Sequence, residues 1–364
     1  MSSFKNKTVF VAVLNWGLGH ATRSIPIINE LISLKAKVIL GGDGRSLKLL
    51  EKEFPHLKAV ELPSYGVLYS EGSQMVATTL FRAPKYLNAV RLEHQALEKL
   101  IDEHKIDVVI SDNRYGLWTK KVKSIFVCHQ LALIPPQPFD WATSAVYRLH
   151  RLFMDRYDEI WIPDFDKAHS LAGRLVHQFP FTSKMKLIGA LSRFNDCISS
   201  GSITEFGIID IVCVLSGPEP QRSLLENKMR EQAQLIDRDI LIVQGKTETY
   251  KVERDGRITT ISYLTSNVLY SILKEANVVI ARSGYSTIMD LAALGKKAIL
   301  IPTPGQTEQV YLANNLSDKH IAVVQQQSQL NIAIALNDIE NVKGFPMNNG
   351  NHDLLKAVMN DLVL

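Results

Sequence analysis

RSGYSTIMDLAALG, residues Arg282–Gly295, follows the short apolar run ANVVIAR and precedes a second apolar run, KAILIP. Short continuous apolar runs are typical of parallel strands that are covered on both faces, and the stretch between these two has a helical composition. The segment therefore predicts a strand–helix–strand unit, the building block of a parallel sheet. A helix that directly follows a strand offers free N–H groups in its first turn, which favour an anion such as a diphosphate.

Side chains at the start of this predicted helix suit a nucleotide. We expect Ser286 and Thr287 to cap the helix beside its exposed N–H groups. Asp290 falls one turn further along, where a carboxylate is suited to accept hydrogen bonds from both hydroxyls of a ribose. The next apolar run ends in TPGQTEQ, which would bring Glu308 and Gln309 to the same place for the hydroxyls of a sugar.

Apolar runs and helix-like stretches alternate along the whole chain, which predicts parallel sheets made of βαβ units. The runs fall into two series, at 8–14, 37–43, 106–112, 124–130 and 158–164, and at 210–220, 239–245, 276–282 and 297–305. We therefore expect an α/β fold of two doubly wound, Rossmann-like domains facing across a cleft. Ligands of such sheets bind at the carboxyl ends of the strands, so each loop after a strand is a candidate for function.

A polar, serine-rich stretch separates the two series, and we interpret 196–205 as a linker between domains at 1–195 and 206–364. A chain of 364 residues is long enough for two domains that each bury a core. The final helix-like stretch, HDLLKAVMNDLVL, fits against either domain.

The composition is that of a folded, water-soluble protein, with 46% hydrophobic and 21% charged residues. The first residues resemble no leader, and no apolar run reaches the roughly 18 residues of a spanning helix. We therefore expect a cytoplasmic protein, with a place at the inner face of the membrane left open. Three widely spaced cysteines predict neither a disulfide framework nor a metal knuckle.

Charge is unevenly distributed between the halves. Residues 1–200 hold 26 Lys and Arg against 19 Asp and Glu, whereas residues 201–364 hold 15 against 18. The first half is therefore the one expected to meet an anionic partner or a membrane surface, unless its basic face is simply solvated. No basic cluster is interleaved with aromatic residues in a recognisable module, so we expect no nucleic-acid partner.

The loop NWGLGH after the first predicted strand is rich in glycine. Gly17 and Gly19 permit a tight turn and a close approach of backbone to a ligand, beside a helix N-terminus. Thr22 occupies the position of the third glycine of a dinucleotide-binding fingerprint, which weakens that interpretation. Asp43, at the end of the second predicted strand, could nevertheless act as the ribose-binding acid of such a site, so a nicotinamide enzyme is an alternative. His20 suits a general base near neutral pH, and a histidine that only caps the turn is its alternative.

Polar residues also end later strands of the first half. Asp112 closes the run IDVVISD, where a carboxylate would orient His20 and stabilise its protonated form. An aspartate hydrogen-bonded to nearby backbone is the alternative. His129 and Gln130 close the next run and would line the acceptor side of the cleft.

In the second half, the loop SGPEPQR lies between a predicted strand and a helix. Gly217 and the N-terminus of that helix would hold a phosphate, with Arg222 as a nearby positive charge. An ordinary surface loop is the alternative.

RSGYSTIMDLAALGKKAILIPTPGQTEQVYLANNL, residues 282–316, resembles the donor-binding region of glycosyltransferase family 28. That family includes the N-acetylglucosaminyltransferase that makes lipid II for peptidoglycan. The residues that match its pattern are Arg282, Ser283, Gly284, Thr287, Asp290, Ala292, Ala293, Gly295 and Pro302.

The resemblance implies a GT-B fold and a UDP-sugar donor held by the second domain, with the first domain on the acceptor side. It implies that no metal or resident cofactor is needed, since the UDP-sugar is a substrate. Residues Tyr285 to Asp290 would meet the diphosphate and ribose, and Gln309 with Glu308 the sugar. The family's glycine-rich loop ends in a histidine, which His20 matches, and its linker arginine falls at Arg193.

Several positions depart from the family pattern. Asp290 replaces the glutamate usual in the lipid II enzyme, the family's His-Glu-Gln-Asn reads HQLA at 129–132, and its Gly-Gly-Ser-Gln-Gly loop reads SGPEP. These departures argue against lipid II synthesis itself. The DFD at Asp164 to Asp166 resembles the metal-binding DxD of the other large glycosyltransferase fold, and we interpret it as a pair of turn residues.

We therefore expect a hexosyltransferase that inverts the anomeric centre in one displacement. His20 would take the proton of the acceptor hydroxyl, and the helix start at Ser286 and Thr287, helped by Arg282 or Arg193, would stabilise the leaving UDP. A nucleotide-sugar hydrolase, a non-catalytic nucleotide-sugar-binding protein and a nicotinamide dehydrogenase are the alternatives. The sequence leaves open whether the acceptor is a lipid-linked or a soluble molecule.

Overall fold

The computed structural model of the chain describes residues 3–65, 75–135, 139–197, 209–217, 219–346, 351–362 and 364. The chain divides into two compact units. The first comprises Met1–Trp16, His20–Ser192 and Gly350–Leu364, and the second comprises Gly17–Gly19 and Arg193–Asn349. The C-terminal segment thus groups with the first unit. Residues 198–205 of the predicted linker lie outside the described residues.

The first unit is built on a parallel sheet. In its described residues the strands are β1 (Thr8–Val13), β2 (Lys37–Gly42), β3 (Lys58–Glu61), β4 (Val108–Asp112), β5 (Lys123–Val127), β6 (Glu159–Ile162) and β7 (Met185–Leu187). Their order is β3-β2-β1-β4-β5-β6-β7. β1 pairs with β2 on one side and with β4 on the other, so the order of strands reverses between β1 and β4.

The second unit repeats this plan. The strands in its described residues are β8 (Ile211–Val214), β9 (Ile240–Val243), β10 (Val252–Asp255), β11 (Ile258–Ile261), β12 (Val278–Ala281), β13 (Ala298–Leu300) and β14 (Val323–Val324). Their order is β10-β11-β9-β8-β12-β13-β14, parallel except where β10 pairs with β11. Here the order reverses between β8 and β12.

Helices connect the strands in both units. In chain order they are α1 (Gly19–Ser33), α2 (Gly44–Glu53), α3 (Met75–His104), α4 (Thr143–Met154), α5 (Arg174–His177), α6 (Gln221–Ala233), α7 (Ser266–Glu275), α8 (Tyr285–Leu294), α9 (Thr307–Asp318), α10 (Ile332–Asp338) and α11 (Asn351–Asn360). Within the described parts of the chain, none is long and apolar enough to cross a membrane.

Each sheet is the centre of its own hydrophobic core. The central strands are rich in β-branched residues, which suit a pleated surface, and they are buried on both faces. Phe10, Val109 and Leu97 lie in the core of the first unit, and Ile280 and Ile299 in that of the second. These packed sheets give the loops at the strand ends a rigid base.

The strands that the sequence did not predict lie at or near the sheet edges. β10 is exposed at all four positions and β3 at two of four, and β7 and β14 are only three and two residues long. An edge strand buries little apolar surface, so it lacks the continuous apolar run by which the central strands were identified. β11, the neighbour of β10, is buried at three of its four positions, but two of its four residues are threonines, so it too lacks a continuous apolar run.

Candidate functional site

The strand reversal of the first sheet positions His20 and Asp112. Asp112 is the last residue of β4 and pairs with Val13, the last residue of β1. His20 is the second residue of α1, the helix that follows β1, so its predicted place in the loop is wrong. The turn is complete before it because Gly17 adopts a φ of +75°, which glycine reaches without strain. Ligands of open α/β sheets bind at such reversals.

His20 and Asp112 form a buried pair at this place. His20 Nδ1 lies 2.7 Å from Asp112 Oδ1, and the two residues are 8% and 1% exposed. The sequence left open whether Asp112 reaches His20 or only the local backbone, and the contact answers that question. A carboxylate on Nδ1 orients an imidazole so that Nε2 is left for proton transfer.

An arginine that sequence reasoning missed completes the arrangement. Arg23, one turn after His20 on α1, donates from Nε to Asp112 Oδ2 at 2.6 Å and from Nη2 to Asp112 Oδ1. Its Nη1 lies 2.5 Å from His129 Nδ1. The spacing of three residues between His20 and Arg23 could have indicated that the two side chains lie together, since i and i+3 side chains share one face of a helix. His129, predicted from position alone, thus lies in the same cluster.

Burial and charge set the protonation of the pair. Burial has the largest influence on the pKa of His20 and lowers it below its ordinary value of 6.5; the Arg23 charge lowers it further, whereas Asp112 raises it. Burial alone would raise the pKa of Asp112, but Arg23 and His20 outweigh it and lower that pKa to about 2. Near neutral pH the cluster therefore holds an ionised Asp112 and an uncharged His20, the form in which a histidine accepts a proton.

Asp43 is engaged elsewhere and does not present a ribose-binding carboxylate. Arg114 donates from Nη1 to Asp43 Oδ1 at 2.7 Å, and Asn15 Nδ2 donates to Asp43 Oδ2 at 3.2 Å. Arg114 also bonds the buried Glu93. Both carboxylate oxygens of Asp43 thus serve an internal network, which disfavours the dinucleotide interpretation of the glycine loop.

The strand reversal of the second sheet positions the start of α8, which follows β12 directly. Gly284 is the N-cap residue, in extended backbone, and Tyr285 is the first residue of the helix. Ser286 and Thr287 therefore lie in the first turn, and their predicted role as caps is wrong because the helix begins before them. The N–H groups of that turn have no helical acceptor, so they suit an anion. The Tyr285 side chain itself is buried.

Asp290 lies in the second turn of α8 and is paired with Arg193. Arg193 Nε donates to Asp290 Oδ2 at 3.1 Å, and both side chains are 11% exposed. Both residues and Thr287 line one small cavity of the second unit, together with Val214 and Leu294. The structure thus brings together two residues, 97 positions apart, that the sequence assigned to donor binding.

Arg282 and Ser283 are buried and bind protein atoms. Arg282 is 0% exposed, and it donates from Nη1 to the carbonyl oxygens of Ile301 and Pro302 and from Nη2 to that of Gln221. Ser283 Oγ donates to a carbonyl oxygen of α9. The expectation that Arg282 touches a leaving diphosphate is therefore not met, because its guanidinium joins the loops that follow the strands.

The two residues predicted for the sugar lie in the first turn of α9. Gln309 is buried, and its Oε1 accepts from the Thr303 N–H at 2.9 Å while its Nε2 donates to Gln306 Oε1 at 2.5 Å. Both ends of the Gln309 side-chain amide therefore hydrogen-bond to the loop that precedes α9. Glu308 is half-buried beside it.

The loop after β8 resembles a phosphate cradle only in its backbone. Gly217 has a φ of +99°, with no atom within 4 Å of the place where a side chain would begin. Arg222 is buried and donates to Glu219 at 2.7 Å and to Glu226 at 2.8 Å. Its charge is thus balanced by carboxylates, so it does not act as the positive charge predicted for this loop.

Asp164 and Asp166 hold the turn after β6, as predicted. Asp164 accepts from Ser170 Oγ at 2.5 Å and from the Leu171 N–H at 2.9 Å, and Asp166 accepts from the Ala168 N–H at 2.9 Å. Among the residues that the structure describes, no group of three or more His, Cys, Asp or Glu is arranged to hold a metal ion.

Residues 211–352 match the family model of the glycosyltransferase family 28 C-terminal domain, which confirms the resemblance seen around α8. An uncharacterized glycosyltransferase of Methanosarcina acetivorans is 24% identical over 321 residues, covering 83% of this chain and 81% of its own. The UDP-N-acetylglucosamine–N-acetylmuramyl-(pentapeptide) pyrophosphoryl-undecaprenol N-acetylglucosamine transferase of Bacillus pumilus is 25% identical over 352 residues, covering 90% and 88%.

A solved glycosyltransferase shares the fold. The glycotransferase of kitacinnamycin superimposes with a TM-score of 0.61 at 13% identity, covering 98% of this chain and 94% of its own. The predicted GT-B class, with two Rossmann-like units, is confirmed. Together with the family 28 domain, these similarities support glycosyl transfer as the activity of the chain.

Proposed function

We propose that the chain is a hexosyltransferase that moves a sugar from a UDP-sugar to an acceptor hydroxyl, with inversion and without a metal ion. The observation that carries the proposal is the buried contact of 2.7 Å between His20 Nδ1 and Asp112 Oδ1 at the strand reversal of the first sheet. It supplies the uncharged, oriented base that the transfer requires. The match of residues 211–352 to the family 28 C-terminal domain supports the donor half of the proposal.

The reaction is a single displacement. His20 Nε2 takes the proton of the acceptor hydroxyl as its oxygen bonds to the anomeric carbon, and the bond from that carbon to the diphosphate oxygen breaks. Attack opposite to the leaving group inverts the anomeric configuration. Asp112 remains ionised and stabilises the imidazolium that forms, as the orienting carboxylate does in other base–orienter pairs.

The donor-binding residues belong to the second unit. The first turn of α8, with the N–H groups of Tyr285 to Thr287, and the Arg193 guanidinium would take the diphosphate, which removes the need for a metal counter-ion. Asp290 would accept from the ribose hydroxyls, and Glu308 from the sugar. Uracil is favoured because the Bacillus pumilus relative is named for a UDP-sugar. No resident cofactor is proposed.

We assign the acceptor side to the first unit and favour a lipid-linked acceptor met at the inner face of a membrane. The Bacillus pumilus relative is named for an undecaprenol-linked acceptor. Trp141, Leu149 and Leu152, on and just before α4, are 78%, 58% and 65% exposed, and the exposed Arg148 and Arg156 lie beside them in the chain. Apolar side chains flanked by arginines suit the surface of an anionic bilayer. We call these five residues the α4 surface.

A ligand screen followed by a turnover assay tests the proposal. UDP and UDP-sugars should raise the melting temperature, and ADP, GDP, TDP and NAD should not, because a ligand stabilises the state that binds it. NMR would then follow each stabilising UDP-sugar with EDTA present, with and without hydroxyl acceptors. Transfer with an inverted anomeric signal is the expected result. Cleavage without acceptor would identify a hydrolase, binding without turnover a non-catalytic protein, and stabilisation by NAD alone a dehydrogenase.

A further inference from the structure

Arg23 lies at the centre of a buried cluster that contains both imidazoles of the first strand reversal. It is 1% exposed, and its three guanidinium nitrogens each have a partner. Nε and Nη2 bond the two oxygens of Asp112, and Nη1 lies 2.5 Å from His129 Nδ1. Nη2 also lies 2.9 Å from His20 Nδ1. A planar guanidinium in this position fixes the directions of all its partners at once.

The donor and acceptor properties of these groups assign the protons of the histidines. An ionised Asp112 only accepts hydrogen bonds, so its contact with His20 Nδ1 requires the proton of His20 to be on Nδ1. Arg23 Nη2 and His20 Nδ1 donate to the same oxygen, Asp112 Oδ1, so their separation of 2.9 Å reflects a shared acceptor and is not a hydrogen bond between them. Arginine only donates, so its contact with His129 Nδ1 requires that nitrogen to carry a lone pair. The proton of His129 is then on Nε2. The two imidazoles thus have opposite tautomers.

We propose that Arg23 is a positioning residue that holds His20 and His129 as neutral imidazoles of opposite tautomer, His20 with its lone pair on Nε2 and His129 with its N–H on Nε2. One rigid side chain thereby prepares a proton acceptor and a hydrogen-bond donor at the same strand reversal. The role in catalysis rests on the proposed function, because His20 is the base there. The tautomers themselves do not depend on it.

The charge of Arg23 acts in the same direction as its geometry. In the part of the chain that the structure describes, the charged and titratable groups that face His20 are Asp112 at the end of β4, Arg23 on α1, and His129 after β5. Burial lowers the pKa of His20 most, Arg23 and His129 lower it further, and Asp112 raises it. Removing the arginine leaves His20 beside an uncompensated carboxylate. It should then take up a proton at higher pH.

The tautomers can be read directly from ¹⁵N–¹H correlation spectra of the full chain labelled at its histidines, with His20→Gln and His129→Gln variants for assignment. The parent protein should show His20 protonated on Nδ1 and His129 protonated on Nε2 at pH 8. The opposite tautomer at either residue would overturn the proposal, and this first measurement depends on no substitution at Arg23.

Two substitutions then separate charge from packing. Arg23→Met keeps the length of the side chain and removes its charge and its hydrogen-bond donors. Arg23→Lys keeps the charge but loses the planar guanidinium, whose N–H groups point in fixed directions. In Arg23→Met the His20 resonances should titrate at higher pH than in the parent, and His129 should populate both tautomers. Arg23→Lys should restore the titration of His20 but not the tautomer of His129. Arg91→Met, at an exposed site on α3, is the matched control.

The same variants change the pH profile of turnover if the chain is a glycosyltransferase. At pH 6, relative to the high-pH plateau, Arg23→Met should lose about tenfold more kcat/KM than the parent does, since nearby charges shift a pKa by about one unit or more. An equal loss at every pH, with both tautomers retained, would show a merely structural arginine and overturn the proposal. Absence of turnover in the parent would contradict the proposed function and leave the NMR result standing.

Discussion

Arg193 Nε donates to Asp290 Oδ2 at 3.1 Å, and each side chain is about nine-tenths buried. The carboxylate proposed for the ribose is therefore paired with the guanidinium proposed for the diphosphate. A nucleotide that binds here offers each residue a new partner of suitable chemistry: hydroxyls for Asp290 and phosphate for Arg193.

Asp290→Asn should remove the discrimination between UDP and 2′-deoxy-UDP. In the parent, loss of the 2′-hydroxyl should weaken binding roughly 10–100-fold, because a hydrogen bond to a charged group contributes about 1.5–3 kcal/mol. In the variant the two nucleotides should differ by less than about threefold. Isothermal titration calorimetry measures both affinities, with Asp318→Asn, at an exposed site on α9, as control. An undiminished preference for UDP in the variant would show that Asp290 does not bind the ribose.

Arg282→Lys should destabilise the second unit. A lysine cannot replace the guanidinium that donates to the carbonyl oxygens of Ile301, Pro302 and Gln221, and each buried acceptor left unpaired costs about 1–3 kcal/mol. We expect the free energy of unfolding to fall by about 2–4 kcal/mol, measured by urea denaturation. Arg238→Lys, at an exposed site, should change it by less than about 0.5 kcal/mol. If the variant kept its stability but lost UDP binding, Arg282 would be a ligand-binding residue instead.

The pH dependence of turnover should reflect the lowered pKa of His20. A base acts in its unprotonated form, so kcat/KM is maintained above its pKa and is lost as the pH falls through it. Because burial and Arg23 lower the pKa of His20, the acid limb should lie below pH 6.5. Asp112→Asn removes the group that raises this pKa, so the limb should move to still lower pH while kcat falls. A limb above pH 6.5, or one that moves upward in Asp112→Asn, would contradict this assignment.

The α4 surface should bind anionic membranes. Leu149→Ser with Leu152→Ser should weaken sedimentation with vesicles of phosphatidylglycerol and phosphatidylcholine by at least about tenfold, since burying a leucine contributes about 1.5–3 kcal/mol. The matched control is the pair Leu224→Ser and Leu235→Ser, two exposed leucines of the second unit. Equal binding by both double variants, or no binding by the parent, would exclude this surface as the membrane contact.

The central strands and the start of α8 were predictable because each depends on a local pattern. An apolar run covered on both faces gives β1, β4, β8 and β12, and a helix after β12 gives the turn proposed for the diphosphate. Contacts across the chain were not predictable in this way. Nothing local shows that Asp112 lies 2.7 Å from His20, or that Asp43 is bound by Arg114.

Buried arginines account for the main errors in the site. Arg282 and Arg222 were interpreted as charges for a phosphate, whereas the first bonds carbonyl oxygens and the second bonds Glu219 and Glu226. Arg23 was not considered, although it binds both carboxylate oxygens of Asp112 and lies 2.9 Å from His20 Nδ1. The sequence shows where a charge lies along the chain but not which partner neutralises it, and in a folded interior the partner decides the role.

Turnover by His20→Ala, measured together with its affinity for UDP, is the direct test of His20 as the general base. A positioned general base contributes typically ~10²–10⁴-fold, so kcat should fall by that factor. The dissociation constant of UDP, whose proposed site is in the second unit, should stay within about twofold of the parent value. His56→Ala, on the same unit but outside the cluster, should match the parent in both. Turnover of His20→Ala equal to that of the parent would remove His20 from the mechanism and contradict the proposed transfer.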